Sequence, residues 1–89
     1  MNKFSAHISI YASHDVTKPR PIYIEPWGED YWLLPGDKFK IIAYGNASSP
    51  YFSIFENDDS TQVYIEGNGQ DFSVRHGEKV IDCGYQRPE

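Results

Sequence analysis

Eighty-nine residues suffice for one domain, and a chain this short buries only about 60–65% of the surface its unfolded form exposes, so a deep catalytic cleft would compete with the core for apolar side chains. Aromatics at 16% and hydrophobic residues at 39% exclude a disordered chain, because such rings supply large buried areas. Eight Lys and Arg against thirteen Asp and Glu leave a net charge of −5, which argues against direct binding of nucleic acid, itself a polyanion.

Phe4, Ala6, Ile8 and Ile10 alternate with Ser5, His7, Ser9 and Tyr11, the period of a strand with one buried face. The polar "SHDVTKPRP" that follows carries Pro19 and Pro21 and reads as a loop. Ile22 and Ile24 then alternate with Tyr23 and Glu25 in a short strand ended by Pro26, which lacks an amide donor. Within "PWGEDYWLLPG", Gly28 permits a bend, Trp27 is expected to close one end of the core, and Tyr31 to Leu34 forms a strand with Tyr31 and Leu33 on one face. Glu29 and Asp30 are left at the corner for solvent or a partner. Pro35 and Gly36 suit the central positions of a type II turn, the first with fixed negative φ and the second with positive φ.

"DKFKIIAYG" predicts a strand with Phe39, Ile41 and Ala43 on one face and Lys38, Lys40, Ile42 and Tyr44 on the other. "YFSIFE" has aromatics on both faces, so its alternation leaves the buried side open. "NDDS" is a hairpin turn, since Asn and Asp bond nearby backbone and tolerate left-handed conformations. Val63 and Ile65 alternate with Gln62, Tyr64 and Glu66, "GNG" turns the chain, and Phe72 and Val74 continue in what reads as a hairpin. Gly77-Glu78 fits a two-residue turn into a last strand from Lys79 to about Cys83, and residues 84–89 read as a short tail. Seven to eight short strands with no helical spacing predict a single all-β domain over residues 1–89. A two-sheet antiparallel β-sandwich, immunoglobulin-like or jelly-roll-like, suits this length better than a small barrel.

No catalytic signature survives scrutiny. His7, His14, His76 and Cys83 stand at no recognised metal-ligand spacing. A cupredoxin-like copper site fails because Cys83 is followed by Gly84 and Tyr85 and the one Met is Met1. There is no Gly-x-Ser-x-Gly elbow. "ENDDST" lacks the spaced ligands and Gly of an EF-hand loop, and Asn46-Ala47-Ser48 matches a glycosylation acceptor too short to carry weight. Glu25, Glu29 and Asp30 could imitate a glycosidase pair, but a sugar cleft is hard to build at this length. No metal or cofactor is expected. The lone Cys83 permits no intramolecular disulfide, the first residues do not form a signal-peptide core, and no run reaches membrane-spanning length, so a cytoplasmic, non-membrane protein is expected.

Charge is distributed unevenly. Ile41 to Val74 contains no Lys or Arg but holds Glu56, Asp58, Asp59, Glu66 and Asp71, so this half is acidic without internal compensation. On the alternation above, Tyr11, Tyr23 and Tyr64 fall opposite the core-facing aliphatics, in company with Glu25 and Glu66. Ordinary strand propensity would also place Tyr there. The functional reading is an interface, in which Tyr anchors contact and acids steer a basic partner. The candidate partner-binding residues are therefore Glu56, Asp58, Asp59, Tyr64 and Glu66, then Tyr23 and Glu25.

The quoted segment, with the Pro35-Gly36-Asp37 turn and the strand after it, resembles a group of small uncharacterised bacterial β-rich proteins. These carry Pro-Trp-Gly, two acids and an aromatic, then Leu-x-Pro-Gly; the resemblance spans residues 22–45 and implies a β-rich fold without an activity. The chain also resembles, as a class, the immunity proteins of bacterial toxin systems, which are often small, acidic, cytosolic and free of catalytic motifs. That likeness implies a non-enzymatic protein that neutralises a basic toxin such as a nuclease. The alternative reading is a carbohydrate- or ligand-binding β-sandwich module in which Trp27, Trp32 and exposed Tyr rings stack on a sugar.

Overall fold

Eight strands form in chain order: β1 (Phe4–Tyr11), β2 (Arg20–Glu25), β3 (Glu29–Leu33), β4 (Lys38–Gly45), β5 (Tyr51–Glu56), β6 (Thr61–Glu66), β7 (Gly69–His76) and β8 (Lys79–Ile81). The computed structural model describes residues 4–13 and 17–89. The strands make two four-stranded sheets, ordered β1-β4-β7-β8 and β3-β2-β6-β5, which pack as the expected β-sandwich. Their inner faces meet in one core. Ile22, Ile24, Tyr31, Leu33, Val63 and Ile65 come from the second sheet, and Phe39, Ile41, Ala43, Val74 and Ile81 from the first. Apart from Ile81, these are residues that alternation assigns inward, because side chains two apart on a strand share a face; the buried face expected on β1 is only partly realised, since at the sheet edge Ile8 and Ile10 are half-buried and Phe4 stays 36% exposed.

Several local expectations hold for identifiable reasons. Asp37 donates its amide to the Leu34 carbonyl at 2.9 Å across Pro35-Gly36, and Gly36 has φ 84°, as a type II turn requires. Pro26 to Gly28 joins β2 to β3, with the Gly28 amide bonded to the Ile24 carbonyl at 2.8 Å. Gly77-Glu78 joins β7 to β8, and Asn57 to Ser60 closes the β5–β6 hairpin. Pro21 is tolerated as the second residue of β2 because β6 begins pairing only at Ile22, so no ladder bond is asked of its nitrogen.

Three sequence expectations need correction. β6 and β7 do not form a hairpin: Gly67-Asn68 carries the chain from one sheet to the other. The crossing is tight, and a Cβ on Gly69 would stand 2.3 Å from Ile65 Cγ2. Within the second sheet β2 pairs with β6 in parallel, while the other five strand pairings are antiparallel. Residues 84–87 are docked rather than trailing: Gly84 donates its amide to the Asp30 carbonyl at 2.6 Å, the Trp32 amide bonds the Tyr85 carbonyl at 2.9 Å, and Tyr85 packs on the core.

This docking explains "PWGEDYWLLPG". Asp30 accepts hydrogen bonds from the Trp32 indole at 2.8 Å, from Arg87 Nε at 2.7 Å and, through its other oxygen, from Arg87 Nη2. Cys83 Sγ lies 3.4 Å from the same carboxylate. Asp37 Oδ2 receives the Leu34 amide at 2.9 Å and Gln86 Nε2 at 2.8 Å, while Oδ1 is 3.4 Å from His76 Nε2. The segment is a clamp that holds the C-terminal residues along the outer edge of β3.

Candidate functional site: an acidic aromatic sheet face

Strand register decides which exposed residues become neighbours. In the second sheet, Tyr23 is opposite Asp30 and Pro21 opposite Trp32 on β3, while Tyr23 pairs with Gln62 and Glu25 with Tyr64 on β6. On the far side of β6, Tyr64 faces Ser53, Glu66 faces Tyr51 and Gln62 faces Phe55. Since Ile22, Ile24, Val63 and Ile65 point into the core, all of these alternate residues point outward. Tyr23, Glu25, Tyr64 and Glu66 are thus brought together on one sheet face.

Its centre is aromatic. Phe55 meets Tyr64 edge-on at a centroid separation of 5.5 Å, and Tyr23 and Trp32 occupy adjoining strands on the other side. Glu66 is held upright by Ser53, whose hydroxyl donates to Oε2 at 2.7 Å. None of the eight Lys and Arg occupies an outward position on these four strands. Cations do border the face, Lys18 and Arg20 beside Tyr23 and Trp32 and Arg87 on Asp30, but the part built from Glu25, Tyr64, Glu66 and Phe55 offers carboxylates and ring faces with no strand cation among them, a combination that recognises positive charge.

The remaining predicted residues lie at the end of the sheet. Asp58 and Asp59 form the exposed tip of the β5–β6 hairpin. Glu56 sits on the inward-facing row at the sandwich end, accepting from Thr61 Oγ1 at 3.2 Å and lying 3.7 Å from Arg20 Nη2. Arg20 also donates to the carbonyls of Asn57, Asp58 and Ser60 at 2.7–2.8 Å. This corrects the view of an uncompensated acidic half: a cation from outside the interval neutralises its inner corner. Tyr11 falls on the other sheet and is not part of this face.

Other expectations are also revised. Glu29 accepts the Tyr31 hydroxyl at 2.7 Å, and Asp30 is occupied by the clamp, so neither is an idle corner acid. Burial, and then the bond to Glu29, push the Tyr31 phenol well above its ordinary range. The Arg87 hydrogen bonds hold the Asp30 carboxyl far below the usual carboxylate range, against the opposing cost of burial. Such a carboxylate is unsuited to proton transfer near neutrality. Trp27 stays 39% exposed and covers Phe72 at 4.8 Å rather than sealing the core.

Two features escaped sequence reasoning. The outward Trp32 lines, with Tyr23, Lys18, Arg20, Asp58 and Asp59, an open groove of about 720 Å³. β5 is an edge strand, so Tyr51, Ile54 and Phe55 remain 59%, 46% and 54% exposed. The signal for β5 was present in "YFSIFE", whose two aromatic faces cannot both be buried in a two-layer sandwich.

Among the described residues no three of His, Cys, Asp and Glu come together to hold a metal ion; His14 lies outside those residues. No helix is long and apolar enough to cross a membrane. Compared with known proteins, the chain matches no family model, no curated protein and no solved structure.

Proposed function

We propose that this is a non-enzymatic binding protein whose acidic, aromatic sheet face docks a basic protein partner. In its most concrete form it is a cytoplasmic immunity protein that covers the active or nucleic-acid-binding surface of a basic bacterial toxin such as a nuclease. The observation carrying this reading is the convergence of Tyr23, Glu25, Tyr64 and Glu66 with Phe55 on one face that has no outward Lys or Arg. The rings supply contact area at small entropic cost, and the acids at the hairpin tip, Asp58 and Asp59, accelerate encounter. The engagement of Glu29 and Asp30 in structural bonds supports a role without catalysis.

The test uses a cationic toxin domain encoded beside the gene. Co-expression rescues growth, and stopped-flow association slows as salt rises because screening weakens steering. Asp58→Lys with Asp59→Lys lowers the association rate by about tenfold, whereas Tyr64→Ala chiefly speeds dissociation. Rates and affinity unchanged in both variants would remove this face from the interface.

The groove beside Trp32 favours a second reading, a small carbohydrate stacked on Trp32 and Tyr23. Glycan titration then quenches or shifts Trp fluorescence in wild type and not in Trp32→Ala. Flat titrations with wild type would sink it.

A further inference from the structure

The first sheet has an outer face of opposite character. On β4 and β7, Lys40 stands opposite Arg75, with Lys38 two residues along β4 and opposite Tyr11 of β1. Like charges set directly across a ladder are destabilising unless something offsets them. None of Lys38, Lys40 and Arg75 forms a salt bridge among the described residues, whereas Arg20 and Arg87 do. Arg75 Nε is buried without a hydrogen-bond partner. Asp71 stands across from Tyr44, four positions along both strands from the Lys40–Arg75 pair.

We propose that this cationic face docks a second copy of the chain through that copy's acidic aromatic face. Lys38, Lys40 and Arg75 would then meet Glu25, Glu66 and the rings of Tyr64, Phe55 and Tyr23, pairing carboxylates with cations and cations with ring faces. The molecule bears on one sheet the chemistry that its other sheet is built to recognise. The contact is heterologous, so a pair of copies keeps one free face of each kind and the assembly grows as an open series rather than stopping at two.

Magnitudes decide its strength. Three strands of about eight residues span roughly 14 by 27 Å, about 400 Å² per face, half the roughly 800 Å² per partner of a standard interface. The association is weak. Two copies of net charge −5 also repel at long range. At about 0.1 M salt the screening length is about 10 Å, short against the 44 Å longest extent of the molecule, so distant charges drop out while contacting ones still act. At about 1 M, with a screening length of about 3 Å, the contact is lost too.

The face used here is the one the proposed function gives to a basic partner, so the experiment keeps the two readings apart. Sedimentation velocity is run on the intact chain at about 1 mM, a concentration suited to so small an interface, in about 0.1 M and about 1 M salt. Wild type forms a concentration-dependent series at the lower salt and is monomeric at the higher. Lys40→Gln/Arg75→Gln and Glu25→Gln/Glu66→Gln each weaken association at least about tenfold, with unchanged circular dichroism. Mixed in equal amounts they form a dimer that does not grow, since one pair of native faces remains. A wild type that stays monomeric at the lower salt overturns the proposal. So does association that survives both double variants, or that is removed only by Ile54→Lys, which would assign the contact to the open β5 edge. A monomeric wild type that still binds the cationic toxin domain loses only the self-contact; self-association with no toxin binding overturns only the proposed function.

Discussion

The outer faces of the two sheets are built on the same core yet carry opposite chemistry. One presents Lys38, Lys40 and Arg75 beside Tyr11, and the other presents Glu25 and Glu66 around Tyr23, Tyr64, Phe55 and Trp32. Net charge, a sum over both, describes neither. The difference teaches that in a thin sandwich a partner meets one face at a time, because outward side chains on opposite sheets are separated by the core and screening separates their fields.

The comparison breaks most completely at what the faces share. Leu33→Ala or Ile22→Ala, each deleting a fully buried side chain, costs about 3–4 kcal/mol, and both faces lose order together in a thermal melt followed by hydrogen exchange. Loss confined to one sheet would mean that the sheets do not share a cooperative core. A smaller effect isolates the second sheet's border. Asp30→Ala removes charge-assisted bonds to Arg87 and the Trp32 indole and costs about 2 kcal/mol at neutral pH.

The pH dependence of that loss has a definite sign. Asp30 binds its proton more weakly when folded, so its stabilisation is present above the unfolded value of about 3.9 and drains as pH falls toward the depressed folded value. Urea melts of wild type and Asp30→Ala therefore converge on acidification below about pH 4. A gap that stays constant to pH 2 would show that Arg87 is not what the carboxylate serves.

Tyr64→Ala sharpens the comparison from the functional side. It costs about 1 kcal/mol in stability because the residue is outward and only partly buried, yet it weakens cationic-partner binding by tenfold or more, as calorimetry would measure. The smallest effect is Lys40→Gln, which relieves the charge opposite Arg75 and raises stability by a few tenths of a kcal/mol. A clear loss instead would mean that Lys40 has a stabilising partner within the fold.

Inward residues were readable from alternation because a strand's period of two sorts its side chains whatever lies beside it. The type II turn at Pro35-Gly36 was readable from two residues whose own torsions demand it. Tyr23, Glu25, Tyr64 and Glu66 were identified one by one as outward, but nothing local said that β2 lies beside β6. That adjacency depends on β3, β4 and β5 leaving and re-entering the sheet. The hairpin wrongly expected at "GNG" fails for the same reason: turn chemistry specifies that the chain reverses, and packing specifies which sheet receives it.

The two ends of the clamp show the division most plainly. Asp30 reads as a free corner acid and residues 84–89 as a tail, because the partners that join them are some fifty residues apart in the chain. Composition and periodicity were enough for strands, turns and the identity of the core, since those follow from local torsions and from burial of apolar surface. Which charges neutralise one another, which edge stays open and which face stays acidic were settled only when the sheets assembled, because electrostatics and hydrogen bonding act between neighbours in space.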